Sequence, residues 1–246
     1  MTPRAQSSLF KASRAVHWVL SIWPQLKRQR AFLAHEIGHD AEALAAAQNA
    51  MKLEEEAPSR MLILPDTKCL AARYAEGANQ PAIADELLAK AGTFTYCASV
   101  KAEIAAHRGA WGGAQRDFAA AVGIAPSLPA AYESWGEALA AHGELSAAVE
   151  KFGAAHERGP HWAEPIEHWG EALAAQGQFQ AAVQKFAQAD TYAPNWGALH
   201  LHWGEALDKL GDHAQALKHY RAAQELALSD SDKQLVARYV ASNPQI

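Results

Sequence analysis

The chain has 246 residues, half of them hydrophobic and a fifth charged, with a formal net charge of −5. That apolar share closes a sizeable core and excludes wholesale disorder, while the slightly negative mean hydropathy excludes a polytopic membrane protein. Residues 1–35 carry Arg4, Lys11, Arg14, Lys27, Arg28 and Arg30 and no acidic residue, so the remainder is more acidic than the whole. A basic overall footprint for nucleic acid is therefore missing, and nucleic acid is not expected as a partner.

Residues 1–24 read as a basic amphipathic helix, with Leu9, Phe10, Val16, Val19 and Leu20 as apolar contacts over 7–22. Its apolar stretch from Ala15 to Trp23 is broken by His17 and Ser21 and stopped by Pro24, too short to cross a bilayer. Neither an uninterrupted apolar core nor a small-residue cleavage site marks it as a secretory signal. It is expected to pack as a first stacked helix. The alternative is a membrane-surface anchor, with Trp18 and Trp23 at the interface.

Residues 25–94 read as degenerate helix pairs. Leu26–Ile37 and Asp40–Glu55 turn at Gly38, and Pro58 follows. Asp66–Glu76 and Gln80–Ala91 turn near Gly77. Two cysteines, Cys69 and Cys97, are too few for a disulfide framework or a four-cysteine metal site and point to a reducing compartment.

This region holds the one enzyme-like motif, His35-Glu36-Ile37-Gly38-His39. On a continuous helix its histidines lie one turn apart and share a zinc ion, with Glu36 as general base. Gly38, however, sits where a helix pair must turn, and no third ligand is marked among Glu54, Glu55, Glu56 and Glu76. The expectation is no enzyme, no cofactor and no metal, with a zinc-dependent hydrolase as the alternative. No phosphate-binding loop, dinucleotide fingerprint or Gly-x-Ser-x-Gly motif is present in the sequence.

Residues 95–230 repeat with a period of 34. Trp-Gly-Glu-Ala-Leu begins at Trp135, Trp169 and Trp203. Gly109, Gly143, Gly177 and Gly211 form another column, as do Phe118, Phe152, Phe186 and Tyr220. Ala114, Ala148, Ala182 and Ala216 recur seven residues before Ala121, Ala155, Ala189 and Ala223. Pro126, Pro160 and Pro194 close the pattern. Each unit reads as helix, glycine turn, helix, with small residues at the close approach and an aromatic filling the gap. Such a unit cannot bury its apolar face alone, so units must stack.

These columns resemble the tetratricopeptide repeat in period and in the Ala-x-x-x-Phe…Pro pattern. Units fall at 95–128, 129–162, 163–196 and 197–230. Lys101 and Ala102 replace Trp-Gly in the first. Tryptophan stands where the family usually has leucine, and the family's earlier tryptophan slot holds Tyr132, Ile166 and His200. The resemblance implies an all-α, right-handed superhelical solenoid whose first helices line a concave, peptide-binding face.

On that face the register predicts an exposed acidic stripe: Glu103, Glu133, Glu137, Glu167, Glu171 and Glu205, with Glu164 beside it. The stripe reads either as a solvated helix face or as a groove for a basic protein or peptide. Glutamate stands where the family's clamp for acidic peptides needs Lys, Asn or Arg. Histidines such as His168 and His202 are expected to be solvated or to serve packing. The repeat tryptophans are expected to pack between units, since glutamates beside them disfavour a nucleic-acid stacking ladder.

Residues 231–246 read as a capping helix and tail. Ser231 starts a helix to about Ser242, with Leu235, Val236, Tyr239 and Val240 on its apolar face. A non-enzymatic interaction scaffold in the cytoplasm, of bacterial source, is the expected whole.

Overall fold

The computed structural model describes Ala34 and residues 38–56, 67–92 and 94–243. Twelve helices and no strand occur among the described residues. In chain order they are α1 (Asp40–Glu56), α2 (Thr67–Gly77), α3 (Pro81–Ala89), α4 (Thr95–His107), α5 (Trp111–Ile124) and α6 (Pro129–Ala141). There follow α7 (Leu145–Arg158), α8 (Ala163–Ala175), α9 (Phe179–Asp190), α10 (Gly197–Lys209), α11 (His213–Gln224) and α12 (Asp230–Ser242). The chain divides into two compact units between Ile104 and Ala105, inside α4.

In the first unit α1, α2 and α3 pack in sequence around small side chains. Ala43, Ala47 and Ala50 of α1 and Ala71, Ala72 and Ala75 of α2 are fully buried, which lets the helices approach closely. Tyr74 and Val100 fill the remaining core.

Gly38 has a φ of +77°, and the His39 amide donates to the Ala34 carbonyl at 2.8 Å. The chain therefore turns at Gly38, as the helix-pair reading expects. His35, Glu36 and the expected helices over 7–22 and 26–37 lie outside the described residues. The second expected turn differs in its pivot. Asn79, with a φ of +57°, takes the left-handed conformation, whereas Gly77 ends α2 against Asp40. A Cβ at Gly77 would sit 2.4 Å from an Asp40 carboxylate oxygen, so close approach explains this glycine.

The two cysteines meet. Cys69 of α2 and Cys97 of α4 are joined in a disulfide with Cα atoms 5.3 Å apart, both buried in this core. Too few cysteines for a framework are still enough for one staple.

The second unit runs from the end of α4 through α12. The pairs α6/α7, α8/α9 and α10/α11 are antiparallel hairpins, and successive pairs stack in sequence. Each first helix ends on a turn glycine, Gly143, Gly177 or Gly211, with φ between +78° and +88°. The residue after each, Glu144, Gln178 or Asp212, donates its amide to Leu139, Leu173 or Leu207, the last residue of Trp-Gly-Glu-Ala-Leu. Phe152 and Phe186 are fully buried, and Tyr220 nearly so.

The unit ends in α12, whose Val236 is buried against Leu201, Leu207 and Tyr220. Its N-cap is Ser229 rather than Ser231: the Ser229 hydroxyl accepts from the Asp232 amide at 3.2 Å. Leu235, expected inside, is exposed. No helix among the described residues is long and apolar enough to cross a membrane.

Candidate functional site

The first helices α6, α8 and α10 lie side by side, each touching the next. Their period-matched positions bring Glu133, Glu137, Glu167, Glu171 and Glu205 onto this region. Glu103 belongs to the other unit, where Arg73 Nε lies 3.2 Å from its carboxylate. Glu164 stands in the first turn of α8.

The expected exposed stripe is not uniformly exposed. Glu133 and Glu167 are buried, at 8 % and 1 %. Burying a carboxylate is costly unless it is paired, and each has a histidine from the following unit. His168 Nδ1 of α8 lies 2.9 Å from Glu133 Oε1 of α6. His202 Nδ1 of α10 lies 2.5 Å from Glu167 Oε1 of α8. These histidines bridge units rather than face solvent.

The pairs join into one network. His168 Nδ1 also lies 3.7 Å from Glu137, and its Nε2 lies 3.6 Å from Glu167 Oε2. His202 Nδ1 lies 3.2 Å from Glu171. Burial alone would lower the imidazole pKa values, but the surrounding carboxylates win, raising His168 to about 10 and His202 to about 9. With only these carboxylates around them, both imidazoles favour the protonated form. Glu171 is raised as well, to about 7, first by burial and then by the charge of Glu167. Burial also raises Glu205.

Beside this network opens a cavity of about 460 Å³. Glu171, Glu205 and Asp208 give it acidic walls, together with His202 and Lys209, and Phe179, Phe186 and Tyr220 also line it. Sequence reasoning named Glu171 and Glu205 but missed the aromatic residues, which come from the second helices. The signal was present in the period: Phe186 and Tyr220 share one column.

Behind the face, the tryptophans pack as expected and carry a cation. Lys151 Nζ lies 3.9 Å from the Trp135 ring centroid and Lys185 Nζ 3.4 Å from that of Trp169. One period on, His219 takes the lysine's place and stacks on Trp203 at 3.9 Å. His219 also meets His200, Nδ1 to Nδ1, at 3.1 Å. Its pKa is lowered to about 4 by burial and then by His200.

No profile of a known family matches the chain, and no curated protein matches it. Solved structures do. MamA (MSR-1) is 20 % identical with a TM-score of 0.49, over 63 % of this chain and 91 % of its own. Cut9, from the APC/C hetero-tetramer Cut9–Hcn1, is 12 % identical with a TM-score of 0.59, over 82 % of this chain and 39 % of its own. PilF of Pseudomonas aeruginosa is 11 % identical with a TM-score of 0.54, over 91 % of this chain and 85 % of its own.

Proposed function

We propose that this chain, which shares the tetratricopeptide-repeat fold of Cut9 and PilF, is a protein-interaction scaffold whose α6–α8–α10 face takes a basic segment of a protein or peptide. The observation that carries the reading is the acidic cavity. Two of its walls, Glu171 and Glu205, hold carboxyl groups whose ionisation is disfavoured where they stand. An arriving ammonium or guanidinium relieves that excess negative charge. Phe179, partly exposed beside them, suits the apolar stem of a lysine or arginine. The buried glutamates are occupied in holding the units together, so recognition falls to Glu137, Glu171 and Glu205.

The test is an array of synthetic peptides graded from acidic to basic, probed with the native chain and with Glu171→Lys/Glu205→Lys. Basic peptides should bind best, bind less at higher salt and lose about tenfold affinity to the variant. Affinity that ignores peptide charge, or survives the double substitution, defeats the reading. Matching helical circular dichroism of the two proteins is the control.

A further inference from the structure

We propose that the two Glu–Glu–His clusters are paired binding sites for a divalent first-row metal ion of the zinc class, one at each unit junction. The first is Glu133 and Glu137 of α6 with His168 of α8. The second is Glu167 and Glu171 of α8 with His202 of α10. In each, one donor atom from every residue lies within 4.8 Å of the other two.

The donor chemistry is selective. Two carboxylate oxygens and one imidazole nitrogen suit zinc and its neighbours, whereas magnesium and calcium favour all-oxygen sets. Three protein ligands also leave a position for water, and the ion takes the place of the imidazole proton and competes with a basic segment at Glu137 and Glu171. The spacing is right for chelation, because residues four apart on one helix share a face and the histidine arrives from the next.

A separate observation points the same way. Metal-bound histidines commonly direct their second ring nitrogen to a carboxylate that fixes ring and tautomer. The His168 ring meets the first cluster through Nδ1, while Nε2 faces Glu167 Oε2 at 3.6 Å. Glu167 has only 2 % of its side chain exposed and stands within ion-pairing distance of that nitrogen. One period later the equivalent of Glu167 is Leu201, which offers His202 no such acceptor. The two sites are therefore unequal, and the first is the tighter. Glu167 also links them, since it lies beside His168 Nε2 and is itself a donor of the second cluster.

The experiment is equilibrium dialysis of the full chain, first stripped with chelator, against zinc chloride, with bound metal quantified. Two zinc ions per chain are expected, taken up in unequal steps. His168→Gln should remove the tighter step and His202→Gln the weaker. Glu137→Gln, at the half-exposed edge of the first cluster, leaves the Glu133–His168 junction in place and should weaken the first step alone. Added zinc should raise the thermal unfolding midpoint of the native chain, and chelator should reverse it. No saturable uptake overturns the proposal and leaves the clusters as ion pairs. Uptake indifferent to all three substitutions also overturns it, because the metal then sits elsewhere, as at His35, Glu36 and His39.

Discussion

Gly170 is the residue where local preference and packing disagree most clearly. Glycine inside a helix costs about 1 kcal/mol relative to alanine, so alanine looks like an improvement. Yet a Cβ at Gly170 would lie 2.5 Å from Cε1 of Phe186, a fully buried ring. Gly136 stands in the same relation to Phe152 at 2.6 Å, while at Gly204 the nearest Tyr220 atom is 3.2 Å away. Overpacking of this kind costs about 1–3 kcal/mol, enough to cancel the helical gain. Gly170→Ala should therefore destabilise the chain in urea, and by more than Gly204→Ala. Equal effects, or a stabilised Gly170→Ala, would show that the ring shifts freely. The glycine column was legible in the sequence, but its reason was not, because the ring it meets lies on the other helix of the unit. The burial of Glu133 and Glu167 was hidden for a related reason. A helical periodicity read within one unit places them outward, and their histidines stand 35 residues away.

Among the elements, α10 and α11 differ from the earlier pairs by exchanging a lysine for His219 over the repeat tryptophan. Burial keeps His219 neutral, and protonation would set a cation against His200 and beside Lys218. Its folded pKa, about 4, lies below the ordinary histidine value of about 6.5. The contribution to stability is thus intact above the unfolded value and is lost as pH falls toward the folded one. His219→Phe keeps an aromatic ring on Trp203 and removes the proton. Its thermal midpoint should fall less between pH 6.5 and 4 than that of the native chain. Parallel curves would remove His219 from the acid response. The hairpins themselves were legible, since Gly143, Gly177 and Gly211 stop each first helix where the period places them. The cap was less so: the sequence places it at Ser231, whereas Ser229, two residues earlier, takes the Asp232 amide.

At the scale of the whole molecule, the two units rest on different means. The second has an aromatic in every pair, whereas the first fills its core largely with alanine and adds the Cys69–Cys97 bond. A loop closed by a bridge 28 residues apart is stabilised by about 3–4 kcal/mol. Cys97→Ser should therefore speed amide hydrogen exchange in α1, α2 and α3 and leave α6 to α11 unchanged. Unchanged exchange in the first unit would mean that the bond is absent or idle in solution. The stacked helix-pair fold of the second unit could be read from its columns alone. In the first unit the alanine spacing of Ala43 and Ala50 survived, but the pairing of its cysteines depends on how α2 and α4 meet, which no local pattern encodes.

The Glu–His junctions bear on how such a chain changes length. Each takes its carboxylates from one unit and its imidazole from the next. A duplicated copy of residues 163–196, inserted after the original, would carry one half of a junction at each end and meet the right counterpart on both sides. Its loss would likewise leave Glu133 facing His202. The closing contact at Leu201 and Val236 stays outside the exchange, because it ends the series without charge. Duplication or deletion of this unit can therefore alter the extent of the array without stranding a buried charge, and the number of units is free to drift while the terminus is held fixed.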